Sequence, residues 1–276
     1  MSSASKWLVA WVASCVGAAG VAAAPLRVCA DPNNLPFSNR QQQGFENRIA
    51  SLIGKDMGEP VTYTWFPQRE AFFQKTLDRG VCDVVMSVPA GMAGTATTRP
   101  YYRSEYVFVT RKDRNLKISS FDDPRLRRLK IGVHVLGDQD DSLPPVHAFI
   151  SRGIVHNLVG YSIFGNLDEK NPPSDLIRAV ADRQVDVAVA WGPMAGYFAK
   201  QSNVPLRLTP ISGDSLHPDL PFAFEMGIGV RPNDTALRDK LDAELARRQA
   251  EIQQILRAYG VPEKNAGEQE AKSTEE

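Results

Sequence analysis

The sequence predicts an α/β protein in two lobes, each built on a mostly parallel sheet with helices on both faces. Short apolar runs alternate with helix-spaced runs along most of the chain, the order that produces parallel strands. Several of these strands are apolar almost without a break, as strands covered on both faces are. The stretch Arg79–Gly91 is also echoed by Arg183–Gly196. Each passes from a helix end through a turn and an Asp into an apolar strand, then to Pro and Gly. The echo implies two lobes of related architecture.

The elements follow in order. Leu26–Ala30 reads as a strand, and the turn-rich Asp31-Pro32-Asn33-Asn34-Leu35-Pro36 follows it. Phe45, Ile49, Leu52, Ile53 and Met57 recur at helical spacing, and Gly58 supplies the stop. Val61–Trp65 is a β-branched and aromatic strand. Gln68–Arg79 reads as a helix burying Phe72, Phe73 and Leu77, closed by Gly80. Val81–Met86 is a strand, apolar apart from Asp83. After a strand at Tyr106–Thr110, a second series begins. Strands are expected at Lys130–Leu136, Leu158–Ile163 and Asp186–Ala190, with helices at Pro145–Arg152, Ser174–Arg183 and Met194–Lys200. Phe222–Val230 is another strand. One long helix then runs from about Asp234 to Tyr259, with Leu237, Leu241, Leu245, Ile252, Ile255, Leu256 and Tyr259 on one side. The expected division is lobe I over 24–109 plus 222–262 and lobe II over 110–221. Residues 263–276 are polar and read as a disordered tail.

Composition narrows the function classes. The chain has 276 residues, with 32 Lys plus Arg against 32 Asp plus Glu, for a formal net charge of zero. That balance gives no overall electrostatic case for nucleic acid. With 23% charged and 43% hydrophobic residues, it reads as a folded soluble protein rather than a disordered one.

The first residues form a separate segment. Met1–Lys6 carries one basic side chain, Trp7–Ala24 is uncharged, and the run ends in Val21-Ala22-Ala23-Ala24-Pro25. This is the pattern of an export signal, with cleavage expected near Ala23. Val12-Ala13-Ser14-Cys15 also resembles a lipobox, but the stretch beyond Cys15 stays apolar, which argues against a lipid anchor. No other stretch is long and apolar enough to span a bilayer. The expected location is periplasmic.

Cys29 and Cys82 remain after cleavage. An exported protein can keep a disulfide. If the two cysteines sit near opposite ends of neighbouring parallel strands, they lie about 10 Å or more apart at ~3.3 Å per residue. A bridge needs Cα atoms within about 7 Å. That geometry favours two buried thiols over a bridge.

At this point the residues resemble the periplasmic solute-binding proteins of the amino-acid-receptor type. The resemblance runs from Leu26 to about Pro262. It rests on Leu26-Arg27-Val28-Cys29-Ala30-Asp31 with Leu35-Pro36-Phe37, on Gly44-Phe45-Glu46, on Cys82-Asp83-Val84-Val85-Met86, on Pro100-Tyr101-Tyr102 and on Tyr259-Gly260-Val261-Pro262. It implies a two-lobed periplasmic-binding-protein-like fold of type II, with mixed, mostly parallel sheets, two hinge strands and ligand held between the lobes. A narrower resemblance is carried by residues 28–39, by Tyr63-Thr64-Trp65-Phe66-Pro67-Gln68-Arg69, by Cys82-Asp83-Val84-Val85-Met86-Ser87-Val88-Pro89-Ala90-Gly91 and by residues 97–104. These look like the solute-binding-like proteins associated with quinoprotein methanol dehydrogenases, the MoxJ/XoxJ type. That likeness implies an accessory role toward a periplasmic dehydrogenase carrying pyrroloquinoline quinone (PQQ) and calcium or a lanthanide, the lanthanide branch being preferred. Its cytochrome c is a further candidate partner. No cofactor is expected in this chain.

Departures from the amino-acid receptors point the same way. Those receptors hold the ligand carboxylate with an Arg soon after the third strand. Here residues 89–97 contain no basic side chain. They meet the ligand amine with an acid after the lobe-two strand, where this chain has Trp191-Gly192-Pro193. An ionic group in a cleft needs a partner, because leaving it unpaired costs several kcal/mol. Free amino acids are therefore disfavoured as ligands.

Ligands of α/β lobes meet the loops at the carboxyl ends of the strands. This places Asp31, Asn33, Asn34 and Phe37 at the cleft, with Trp65, Arg69, Val88, Pro89, Ala90, Tyr101, Tyr102, Trp191 and Pro193. Each has a plainer reading. The Asp-Pro-Asn-Asn run is favoured turn chemistry, Arg69 is a solvated helix-start residue, and the aromatics are core packing. The acidic run Asp138-Gln139-Asp140-Asp141 lacks the Gly and distal Glu of an EF-hand loop and reads as solvated. The four histidines show no paired metal spacing. Arg125–Lys130 is the one basic run, read as solvated or as a docking edge for an acidic partner. No Gly-x-Ser-x-Gly, His-Glu-x-x-His or phosphate loop is present. Two carboxylates facing a cleft, such as Asp31 and Glu46, could do acid/base work, but Glu46 at a helix start already complements the dipole. The expected role is binding without catalysis. The alternative is a receptor delivering a small non-amino-acid solute to an ABC importer.

Overall fold

In the computed structural model the described residues are 23–69, 71–135, 143–163 and 171–262. The expected export signal, the acidic run at 138–141 and the expected tail lie outside them. The first half of the chain forms as its local signals direct. β1 (Leu26–Ala30) is followed by a small hairpin, β2 (Asn33–Asn34) and β3 (Ser38–Asn39). α1 (Phe45–Met57) buries Phe45, Ile49 and Ile53 and ends at Gly58, whose φ of 68° is the left-handed conformation expected of a glycine stop. β4 (Val61–Trp65) pairs with β1 in parallel, Leu26 opposite Val61 and Ala30 opposite Trp65.

The next segment departs from expectation. In place of a helix over Gln68–Arg79 there is one turn, α2 (Phe72–Lys75), and a 3-10 turn at Leu77–Arg79. Ala71, at φ 60°, and Thr76, outside helical geometry, interrupt it. Phe72 and Leu77 are buried, whereas Phe73 is half-buried. β5 (Val84–Pro89) starts later than the apolar run suggests, and Val28 pairs with Val84.

That register explains a correction. Cys29 and Cys82 form a disulfide with Cα atoms 5.5 Å apart. Cys82 is not the first residue of the strand, because the chain reaches β5 only at Val84. Had Cys82 extended β5, it would lie three residues behind Val85, which pairs with Cys29. It instead leaves the strand line and packs with Cys29, Phe72, Leu77, Val85 and Val88 in a small separate core.

β6 (Ala96–Thr97) precedes β7 (Tyr102–Arg111), ten residues long where five were expected. β8 (Ile131–Val135), α3 (Pro144–Ile150), β9 (Leu158–Ser162), α4 (Asp175–Ala181), β10 (Val187–Trp191) and α5 (Gly192–Gln201) follow close to their predicted positions. β11 (Leu206–Pro210) was not expected from the sequence. β12 (Ala223–Val230) leads into α6 (Thr235–Arg247) and α7 (Gln249–Ala258), which replace the single long helix. Arg248 separates them at φ −106°, its guanidinium held by Asp56 and Glu251.

The strand order is β4-β1-β5-β12-β7-β10-β8-β9, with β6 beside β12 and β11 beside β7. The β4-β1-β5 and β10-β8-β9 ends are parallel, while β12 and β7 run antiparallel to their neighbours. β7 joins the two ends: Tyr102–Glu105 pairs with β12, and Tyr106–Thr110 pairs with β10. This is the expected α/β fold, a mixed sheet with helices packed on it. One apolar core lies around α1, α6 and α7, and two others flank the β7-β10-β8 region.

Candidate functional site

The carboxyl ends of β1 and β5 gather an unusual set of buried polar groups. Asp31, only 5% exposed, accepts from the backbone N–H of Asn33 at 2.7 Å and from that of Gln68 at 2.7 Å. The carboxylate therefore ties the loop after β1 to the loop after β4. Asn34 extends the tie by donating to Gln68 Oε1 at 3.1 Å, and Ser38 Oγ donates to the Asp31 carbonyl at 2.8 Å. Burial raises the Asp31 pKa, against the lowering by the two N–H donors and Arg69.

Gly44 allows α1 to begin against this loop. A Cβ there would lie 1.8 Å from the Phe37 carbonyl oxygen, a contact no side chain can make. The Asn47 side chain accepts from the Gly44 N–H at 3.1 Å and caps the helix. Glu46, 4% exposed, is thereby set in the first turn with its N–H on the Phe37 carbonyl. Burial pushes its pKa up to about 7, against a hydrogen bond with Ser87, and Asp31 adds repulsion.

Ser87 is the unexpected member of the set. It sits within β5 at φ 52°, in the left-handed region that non-glycine residues rarely occupy. Its N–H donates to the Tyr101 hydroxyl at 3.2 Å, and its own hydroxyl lies 2.9 Å from the same oxygen. Burial pushes the Tyr101 pKa well above its ordinary value and also raises that of Tyr102, with the charge of Glu46 adding in both cases. Tyr63 donates toward the Asn47 carbonyl at 3.5 Å.

The predicted residues divide. Asp31, Asn34, Phe37, Tyr101 and Tyr102 lie in or against this buried group, and Phe37 packs on Phe45 with ring centroids 5.2 Å apart. Asn33 is backbone-paired to Asn39 in the small hairpin. Trp65 is half-buried and stacked on Tyr63 at 4.7 Å. Arg69 is exposed, as is Ala90, while Pro89 pairs with Met226 at the end of β5. Val88 is turned into the disulfide core. Trp191 packs edge-on between Tyr106 and Phe224, at 5.2 and 5.7 Å, and Pro193 is buried in the first turn of α5. His134 is buried, which pushes its pKa down to about 4.

The reading of the sequence missed three features. Glu46 and Ser87 face one another, and a serine inside the apolar run Val84–Pro89 was the available signal. Leu35 packs among Val107, Leu176, Ile177 and Phe198 on the β10 side, while Met194 packs in the core with Phe45, Tyr101 and Tyr102 on the β1 side. Each side of the sheet thus lends one apolar side chain to the other. Tyr197 and Tyr259 stack across the same boundary at 5.7 Å. Among the described residues no group of three or more His, Cys, Asp or Glu could hold a metal ion, and no helix is long and apolar enough to cross a membrane.

Residues 26–262 match the pattern of the bacterial extracellular solute-binding proteins, family 3. The chain belongs to that family. Within it, this solute-binding protein is of the MoxJ/XoxJ type. It is 33% identical to Protein MoxJ of Methylorubrum extorquens over 87% of this chain and 82% of that one. The crystal structure of periplasmic binding protein XoxJ from Methylobacterium extorquens AM1 superposes with a TM-score of 0.70 at 33% identity, covering 87% of this chain and 99% of that one. The crystal structure of MxaJ from Methlophaga aminisulfidivorans gives 0.73 at 27% identity, covering 86% and 99%.

Proposed function

We propose that this solute-binding protein is a non-catalytic periplasmic accessory that binds a PQQ-dependent methanol dehydrogenase and helps to assemble or activate it. The likeness to MoxJ over 87% of the chain carries the reading. The buried polar group supports it. The carboxylate of Asp31 is occupied by backbone N–H donors of its own chain, and the segment from Pro89 to Thr97 offers no basic side chain to an anionic ligand. The surroundings of Trp65, Tyr101, Tyr102 and Trp191 are aromatic, which suits an apolar segment of a partner protein taken between two lobes. The quinone and its metal, calcium or a lanthanide, belong to the dehydrogenase, and the cytochrome c that oxidises it is a further candidate partner.

The direct test is co-migration of the purified chain with apo-dehydrogenase on a sizing column at micromolar concentration. A shared peak supports the reading, and two separate peaks oppose it. Membership in family 3 favours one alternative, a receptor delivering a small non-amino-acid solute to an ABC importer. A receptor would show a large thermal shift with one metabolite. The accessory reading predicts no such shift across a metabolite panel.

A further inference from the structure

The charge of this neutral chain is unevenly placed. Between Arg111 and Lys130 stand eight of its 32 Lys and Arg and only three Asp. Some of these cations are paired: Arg111 with Asp113, Arg114 with Asp186 and Arg125 with Asp123. Lys117, Arg127, Arg128 and Lys130 are exposed and enter no ion pair among the described residues.

The apolar surface gathers at the same place. Among the described residues, three of the four large hydrophobic side chains that stand out into solvent are Ile150, Val155 and Leu216, at 48%, 50% and 53% exposure. Hydrogen bonds bring their segments together with the basic run. Asn157 donates to the carbonyls of Leu126 and Leu129, which fixes the stretch carrying Val155 against Arg127 and Arg128. His217, beside Leu216, lies 2.6 Å from the hydroxyl of Ser151, beside Ile150. Arg152 spans Asp122, Asp214 and Ser215, and Ser215 in turn bonds to Asp122 at 2.7 Å. The relief is therefore locked by side chains that are themselves paired.

This face lies at the amino ends of β8, β9 and β10, where Lys130, Asn157 and Asp186 meet. The opposite, carboxyl ends point toward the candidate site, a strand length of about 17 Å away at ~3.3 Å per residue. An apolar centre with a charged rim is the anatomy of a protein interface. The unpaired cations specify an acidic counterpart, and they set steering and orientation more than raw affinity.

We propose that this face, with Ile150, Val155 and Leu216 at its centre and Arg127, Arg128 and Lys130 at its rim, docks an acidic patch of the dehydrogenase. The proposal rests on the accessory reading above and names the surface it uses. It lies apart from the region between the two ends of the sheet, which stays open to an apolar segment of the same partner.

The experiment measures binding of the cognate methanol dehydrogenase to immobilised full chain at 50 and 300 mM salt. Four forms are compared: wild type, R127E/R128E, I150S/L216S and the control R48E/R79E. Arg48, in α1, and Arg79, in the 3-10 turn before β5, are exposed on elements that pack against β1 and β5, and they change the net charge equally. Thermal melts check that each variant is folded. The expected result is at least tenfold weaker binding by R127E/R128E, weaker binding by I150S/L216S, little change in the control, and a wild-type affinity that falls with salt. Wild-type binding that the first two variants leave intact overturns this surface while the accessory reading stands. No wild-type binding at all overturns both. Retention of the chain on anionic phosphatidylglycerol vesicles but not on the dehydrogenase overturns the protein partner in favour of a lipid surface.

Discussion

Cys29 and Cys82 are bonded although Cys29 lies in register with Val85, three residues further along the chain than Cys82. The bridge pins the entry to β5 against β1, directly behind the strand that carries Ser87. It closes a sequence separation of 53 residues. In the chain-entropy picture a loop of that size is worth about 4 kcal/mol. C29S/C82S should therefore unfold at lower denaturant, by about that amount, with the same fall on reducing wild type. Equal midpoints for oxidised and reduced protein would contradict it.

A second expectation concerns pH. Burial raises the Glu46 pKa to about 7, above its ordinary value. The folded state then holds a proton that the unfolded chain releases near pH 4.3, so stability falls as pH rises from about 4.5 to 7 and levels above that. The span is worth roughly 3.7 kcal/mol at most, since one pKa unit is about 1.4 kcal/mol. Urea melts of E46Q should lose this slope and gain stability relative to wild type at pH 8. Parallel pH profiles for the two proteins would refute the assignment.

The ion pairs should separate by burial. The side chains of Arg152 and Asp214 are 6% and 0% exposed, so R152A strands a buried carboxylate and should cost about 3–5 kcal/mol. Arg178 and Asp175, both near half exposed, form a pair whose loss in R178A should leave the melting midpoint unchanged. Similar losses from both variants would show that burial does not rank these pairs.

Gly196 supplies a steric test. A Cβ at that position would lie 1.8 Å from the Gly260 carbonyl oxygen, where α5 meets the turn after α7. G196A must push the two apart and disturb the Tyr197–Tyr259 stack, at about 1–3 kcal/mol. An unchanged melting temperature would mean that the contact yields freely.

Much of the fold was legible because its signals are local. β1, α1 and β4 begin and end where alternation, helical spacing and Gly58 place them. The misreadings arise where distant groups intervene. Asp31 captures the Gln68 N–H, and the expected helix there shrinks to a turn. Asp56 holds Arg248 and the long helix breaks. Cys82 leaves its strand for Cys29. The candidate site was legible in part, since Asp31, Phe37, Tyr101 and Tyr102 come together as strand-end residues. Glu46 and Ser87 were not seen as partners, because their meeting depends on how α1 lies across β5 and no spacing in the sequence encodes it.

The most direct test of the account follows alcohol oxidation by apo-methanol dehydrogenase supplied with quinone and metal, with a dye as electron acceptor, while the mature chain is titrated in. The account predicts a rise in activity that saturates at a fixed stoichiometry and is absent with an unrelated solute-binding protein. Repeating the titration with calcium and with a lanthanide assigns the branch. Activity that stays flat at micromolar chain with both metals would contradict the accessory function.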